Sequence, residues 1–201
     1  MKQLFLTALR DNETTTAEFR HAAHQLSLLL AAEAANLIPL ASRSVHTPLG
    51  TSPGAILASR VVLVAILRAG LVLLPSFQKL FEDAPIGFFG VRRDEKTADP
   101  HLYYENLPTF SERDWIILLD PMLATGGTSC LALNRLRKAG ASPSQTILVS
   151  IVAAQEGIEI VKKEFPSLNL ITAAIDPALN TKKFIVPGLG DFGDRYFDTS
   201  R

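Results

Sequence analysis

The chain predicts an α/β fold built on a mainly parallel sheet. Three observations carry this. Runs that are apolar or nearly so recur at 61–67, 86–91, 115–119, 146–152 and 168–175. A strand with no polar face is buried on both sides, the situation of a parallel strand between helix layers. Segments of helical pattern alternate with these runs. The turn Thr125-Gly126-Gly127-Thr128 then joins one run directly to a helical segment, which is the form of a βα connection.

The elements follow in order. Thr15-Thr16-Ala17-Glu18 offers a capping box for a first helix. After it, Phe19, Ala22, Ala23, Leu26, Leu29, Leu30 and Ala34 recur at helical spacing. Residues 38–58 mix Pro, Gly, Ser and Thr and predict connecting loops or short strands. A buried strand at 61–67 precedes a helix over 70–81, and a strand follows at 86–91. Residues 92–108 are polar and broken by Pro100 and Pro108. They predict a long loop or hairpin arm, a length usually reserved for function. Strand 115–119 feeds a helix over 128–139. Strand 146–152, helix 155–165, stopped by Pro166, and strand 168–175 complete the alternation. Residues 177–197 are rich in Gly and turn residues. No repeat or low-complexity tract interrupts the chain, so residues 1–201 predict one domain, with the terminal segments as a small hood over the sheet.

Composition bounds the function. With 201 residues, 47% of them hydrophobic and 20% charged, the chain can bury a sizeable core. A net charge of zero argues against a broad nucleic-acid footprint, so no nucleic-acid partner is expected. An anionic ligand must therefore meet a local electropositive site. The lone Cys130 permits no intrachain disulfide and reads as a small buried residue on a helix. His21 and His24 stand one helical turn apart, without a third ligand to suggest a metal. The apolar stretch at 5–9 is too short for a signal peptide, and no segment approaches a membrane span. A soluble, cytoplasmic protein is the expectation.

The informative motif is Leu119-Asp120-Pro121-Met122-Leu123-Ala124-Thr125-Gly126-Gly127-Thr128. Glycines let backbone N–H groups converge on a phosphate without Cβ obstruction. The helix N-terminus adds orphan donors and a positive dipole end. An acid at the strand end can accept hydrogen bonds from ribose hydroxyls. Together these are suited to a phosphorylated sugar. The motif is not a P-loop, because no Lys follows the second Gly, and it lacks the Rossmann spacing. A haloacid-type phosphatase would want a second acid where Met122 stands.

This stretch resembles the phosphoribosyl-diphosphate loop of type I phosphoribosyltransferases. Most members carry two adjacent acids there. Pro121 in the second position, within Asp-Pro-Met-Leu-Ala-Thr-Gly-Gly, is the form found in the uracil phosphoribosyltransferase family. The resemblance covers nearly the whole chain. Residues 65–71 look like that family's second signature, and 93–97 followed by 103–108 like its mobile loop. Ala153-Ala154-Gln155-Glu156-Gly157 is similar to a family helix start. Residues 184–195 look like its uracil-binding segment, and Leu9-Arg10-Asp11 with Phe19-Arg20 match its N-terminal helix region.

The resemblance implies the type I phosphoribosyltransferase-like fold: a central, mainly parallel sheet flanked by helices, a hood from the terminal segments and a mobile hairpin loop at about 92–108. It implies transfer of the 5-phosphoribosyl group from 5-phosphoribosyl 1-diphosphate (PRPP) to uracil, giving UMP and diphosphate in pyrimidine salvage. Arg68, Asp120 and Asp191 would be catalytic. Arg68, Arg93, Asp120, Pro121, Met122, Leu123, Ala124, Thr125, Gly126, Gly127, Thr128 and Asp191 would bind PRPP. Ile185, Gly190, Asp191 and Phe192 would bind uracil. Mg²⁺ would ride mainly on the substrate's oxygens. A homo-oligomer, dimer or higher, is implied too.

Three departures from the family pattern stand out. Asn106 replaces a Lys at the end of the loop, Lys183-Phe184 replaces Gly-Tyr, and Arg92 stands beside Arg93 where Tyr is common. They leave open two other functions: the same fold acting on another base, or a catalytically weak nucleotide-sensing or RNA-binding regulator.

Overall fold

The computed structural model describes residues 1–93 and 99–199. The chain begins with two helices, α1 (Lys2–Arg10) and α2 (Thr16–Ala35), and an antiparallel hairpin, β1 (Leu40–Thr47) and β2 (Gly50–Leu57). β3 (Val61–Leu67) leads through a 3-10 turn at Ala69–Val72 into α3 (Leu74–Leu80), and β4 (Ile86–Arg93) pairs with β5 (Pro100–Asn106). Next come β6 (Trp115–Leu119), β7 (Met122–Leu123), α4 (Gly127–Lys138), β8 (Thr146–Ala154), α5 (Gln155–Glu164) and β9 (Asn169–Asp176). The two-residue strands β10 (Ala178–Leu179) and β11 (Ile185–Val186) and the short α6 (Phe192–Phe197) close the chain.

The central sheet has seven strands in the order β5-β4-β3-β6-β8-β7, with β9 also paired to β8. All of its pairs are parallel except β4–β5. The alternation of side chains along each strand divides two cores. Val61, Leu63, Ala65, Ile117, Leu119, Ile147 and Val149 face the layer of α2 and α3. Val62, Val64, Ile66, Ile116, Leu118 and Leu148 face α4 and α5. Period-two alternation with both faces apolar is what made these strands legible as buried runs.

The capping box expected at α2 is present: Thr15 Oγ1 accepts the Glu18 N–H at 3.3 Å, and Glu18 Oε2 accepts the Thr15 N–H at 2.9 Å. Leu26 and Leu30 of α2 are fully buried, each burial being worth about 1.5–3 kcal/mol.

Several elements differ from the sequence expectation. α1 is a separate helix ahead of the capped one, with Leu6 and Leu9 buried. Residues 38–58 hold two eight-residue strands whose side chains are mostly exposed, so apolar periodicity gave no sign of them. The helix expected over 70–81 is divided into a 3-10 turn and a seven-residue α-helix; Pro75, in the first turn of α3, has no N–H to give to a longer one. β9 is an edge strand and only half-buried. The expected arm at 92–108 is the β4–β5 hairpin; residues 94–98, where the mobile loop was expected, lie outside the described residues.

Candidate active site

The site is built where the line of β6 breaks. β6 pairs with β8 through Leu119↔Val149, and the same line resumes as β7 at Met122↔Val152. Pro121 interrupts it, because proline brings no N–H to a ladder. The interruption is hydrogen-bonded: the Pro121 carbonyl accepts from Ile151 N at 2.8 Å and Val152 N at 3.1 Å, and the Asp120 carbonyl accepts Ser150 Oγ at 2.7 Å. Asp120 is 9% exposed, and its Oδ2 accepts from Ser129 Oγ at 3.2 Å. The acid thus stands between the end of β6 and the first turn of α4.

The glycine turn follows. Leu123 and Ala124 are buried, and Met122, Thr125, Gly127 and Thr128 are half-buried. Gly126 takes φ +82°, a left-handed conformation, and caps α4. α4 starts at Gly127, one residue before the sequence placed it. Its N-terminal end faces the motif and its last turn carries Arg135, Arg137 and Lys138, so side-chain charge reinforces the dipole at the far end. Two neighbours confine the turn. A Cβ on Gly157, at the start of α5, would run into the Ala124 carbonyl, and one on Gly127 would stand 3.6 Å from the Pro100 ring. The start of β5 therefore borders the candidate phosphate loop. Arg135 of α4 pairs with Glu105 of β5 at 2.6 Å and ties the two further.

Arg68 leaves the end of β3 through a cis peptide bond with Leu67. Its side chain is 62% exposed and pairs loosely, at 3.6 Å, with Asp194 of α6, itself 41% exposed. The neighbouring Gly70 packs so closely on the Leu119 carbonyl that no Cβ would fit. The ends of β3 and β6 are thereby locked together, with α6 across from them. Arg93 closes β4, opposite Pro100; its side chain lies outside the described residues.

The C-terminal segment lies in the hood. Ile185 is buried and pairs with Leu179, and Gly188 and Gly190 take φ +58° and +81°. Asp191 is exposed and caps α6 by accepting the Asp194 N–H at 2.9 Å. The Phe192 ring is buried between Phe19, centroids 5.3 Å apart, and Tyr196, at 6.2 Å. With that ring committed to the core, Phe192 has only its backbone to offer a ligand. Arg195 stacks over Phe19 at 4.4 Å and donates to the carbonyls of Leu9, Asp11 and Leu189. Burial lowers its pKa from the usual value, and the Asp11 carboxylate opposes that fall.

The architecture and the motif order have counterparts in known proteins. The family model for uracil phosphoribosyltransferase matches residues 1–199. The chain belongs to the uracil phosphoribosyltransferase family. Curated family members from Halalkalibacterium halodurans and Bacillus thuringiensis are each 42% identical to it, over 195 and 196 residues; in both cases this is 96% of this chain and 92% of the relative. The solved structure of the AQ2163 protein from Aquifex aeolicus has a TM-score of 0.91 and 34% identity, covering 99% of this chain and 95% of that one.

The departures from the uracil phosphoribosyltransferase pattern lie at the periphery. Asn106 is exposed at the end of β5, opposite Phe88. Phe184 is 44% exposed and gives its N–H to Asn180 Oδ1 at 2.9 Å. Lys183 Nζ lies 3.7 Å from Glu156 Oε1 of α5. His24, which was weighed as a metal ligand, shares a hydrogen bond with Tyr196 Oη at 3.0 Å. Cys130 is buried, as expected. Two residues were passed over as functional candidates, Arg10 and Asp176, and they pair at 2.6 Å beneath the C-terminal turn. The signal that singled out Asp120, an acid closing a largely apolar strand, was present at Asp176 as well.

Proposed function

We propose that this chain transfers the 5-phosphoribosyl group of PRPP to uracil, giving UMP and diphosphate in pyrimidine salvage. The observation that supports this most strongly is the convergence of three segments: Gly70 packs on the Leu119 carbonyl, Arg68 reaches Asp194, and Gly157 packs on Ala124. These contacts gather the exits of β3 and β6, the loop into α4, the start of α5 and α6 at the carboxyl end of the sheet, where open α/β sheets bind ligands.

In the reaction, the bond from the anomeric carbon to the diphosphate oxygen breaks, with its electron pair leaving on diphosphate. Uracil N1 bonds to that carbon, and its proton passes to the departing diphosphate or to solvent. The protein's part is positioning and charge stabilisation. Thr125, Gly126, Gly127 and Thr128 hold the 5-phosphate at the N-terminus of α4, with Pro121, Met122, Leu123 and Ala124 shaping the loop. Asp120 accepts from ribose hydroxyls. Arg68, exposed and only loosely paired, meets the diphosphate, and Arg93 approaches it from the arm. Backbone groups of Ile185, Gly190 and Phe192 match the uracil edge, and Asp191 stands on the donor side.

Mg²⁺ fits this arrangement as an ion carried by the substrate. Among the described residues no group of three or more His, Cys, Asp or Glu could form a cage, and Mg²⁺ keeps waters and phosphate oxygens as ligands. Asp191, exposed at the α6 cap, is the carboxylate that would reach it, and the ion would neutralise charge on the diphosphate.

The protein acts as a homo-oligomer in the cytoplasm. The β1–β2 hairpin forms its own two-stranded sheet and exposes Leu40, Val45, Leu49, Ile56 and Leu57. Such a hairpin is marginal alone, and a second copy of the chain would cover it. Light scattering of wild type and of a Leu49→Ser, Ile56→Ser variant tests this: the variant is expected to shift toward monomer.

The activity itself is tested with radiolabelled uracil, PRPP and Mg²⁺ beside a metal-free control. UMP formed only with metal is the expected result. No product, while PRPP binding is measured by calorimetry, would instead favour another base or a sensing role.

A further inference from the structure

The turn assigned to the base has little ladder to hold it. β10 and β11 pair over two residues each, and residues 187–191 belong to no strand or helix. A backbone that reads a base through its N–H and C=O groups must nevertheless be held to within a fraction of an ångström.

The restraint comes from two distant side chains. Asp176, 4% exposed at the end of β9, accepts the Gly188 N–H on Oδ2 at 2.8 Å. Arg10, from the last turn of α1, donates Nη2 to Asp176 Oδ1 at 2.6 Å and Nη1 to Oδ2 at 3.0 Å. Arg10 Nη1 also lies 3.2 Å from the Gly188 carbonyl, which accepts from it. One ion pair therefore grips both the N–H and the C=O of Gly188. At Gly188 the chain turns back on itself with φ +58°, and a Cβ there would collide with the Ile185 carbonyl. Whatever fixes Gly188 fixes its distance from Ile185.

A half-buried ion pair is an inefficient way to stabilise a fold, since well-packed apolar side chains often serve as well. What a guanidinium–carboxylate fork adds is direction: it is planar, two-bonded and fixed in orientation. We infer that the Arg10–Asp176 pair is the positioning device of acceptor recognition, setting the Gly188 peptide and through it the aim of the Ile185 and Gly190 backbone at the base. Neither side chain is a catalytic residue. The inference rests on the proposed assignment of residues 185–192 to uracil.

The test is steady-state kinetics of Asp176→Asn, Arg10→Lys and Arg10→Met, with uracil and PRPP varied separately and thermal unfolding followed in parallel. Asp176→Asn keeps the shape but removes the charge and one of the two acceptor oxygens that bind Arg10 and the Gly188 N–H. Arg10→Lys keeps the charge and loses the fork. The expected result is a uracil KM raised about tenfold in Asp176→Asn, with the PRPP KM within about twofold of wild type. Arg10→Lys should fall between wild type and Arg10→Met. If Asp176→Asn does not fold, the partly exposed Arg10 carries the same comparison. A folded variant with an unchanged uracil KM, or kcat falling with the active fraction while both KM values hold, would overturn the inference. Gly190→Ala, at φ +81°, is the control for the base assignment. If it moves the uracil KM and the Arg10 and Asp176 variants do not, only the positioning role fails. If it too leaves the uracil KM unmoved, the assignment of the segment fails with it.

Discussion

Gly157 of α5 lies flat against the carbonyl of Ala124, so closely that the two backbones leave no room for a Cβ. The candidate phosphate loop is thus shaped from outside as well as by its own glycines. Gly157→Ala must displace the Leu123 and Ala124 backbone that leads into the turn. A misplacement on the order of 1 Å can cost about 100-fold. The expected outcome is kcat/KM for PRPP lower by about 10–100-fold, with the uracil KM much less affected, read from initial rates on a variant that still unfolds cooperatively.

Asp120→Asn and Arg68→Ala are expected to lower kcat/KM by at least about 100-fold, the scale of losing one preorganised electrostatic contact in a reacting site. Arg68 is 62% exposed, so its removal should change stability by no more than about 0.5 kcal/mol. Denaturant titration beside turnover separates the two effects. Near-wild-type turnover of both variants at low PRPP would remove Arg68 and Asp120 from the site.

Asp114 supplies a pH dependence of the fold. Burial by itself would raise its pKa, but the Ser111 N–H at 2.8 Å and the Arg60 guanidinium at 2.8 Å outweigh that and hold it below the usual carboxylate value. The depressed folded pKa gives stability that is present above the unfolded value of about 3.9 and is lost as pH falls through the folded one. Asp114→Asn should therefore cost about 1–2 kcal/mol at neutral pH. The difference from wild type should begin to shrink below about pH 4, where the unfolded chain takes up the proton, and is lost only as pH falls through the lower folded value. Urea titrations at pH 7 and pH 3 check it; an equal difference at both would mean the charge contributes nothing.

Cys130 should be chemically quiet in the folded protein. Burial, with the nearby Glu164 carboxylate, pushes its thiol up to about 12, and the thiolate is the reactive form. Iodoacetamide at pH 8 is expected to label the unfolded chain readily and the native chain far more slowly. Equal rates, followed by mass spectrometry, would show that the α4 environment does not protect it.

How much of this was legible in the sequence depended on how far each signal travels. β3, β6 and β8 are buried on both faces, so their apolar runs announce them without reference to anything distant. The break at Asp120-Pro121 and the Thr-Gly-Gly-Thr turn are equally local. α1 was not legible as a separate helix, because nine residues form a marginal helix alone and it stands by packing Leu6 and Leu9. The β1–β2 hairpin exposes most of both strands, so its register rests on backbone pairing, which leaves no apolar trace. The exposure of Arg68 and its loose pairing with Asp194 of α6 were not legible either, because both depend on how the chain turns at the end of β3. The grip of Arg10 and Asp176 on Gly188 was invisible for a different reason: no spacing rule connects residues so far apart.

That separation gives the two halves of the pocket different histories. Asp120 and the glycine turn lie within about one strand–turn–helix unit and draw their support from nearby chain, β8 and the start of α5. Arg10 must wait for Asp176, 166 residues later, and for Gly188, 178 residues later, and long-range contacts of this kind are slow to close. During synthesis the donor half can take shape while the acceptor half has no material to form from. A chain halted before residue 188 would carry the candidate phosphate loop and lack the turn proposed to read the base.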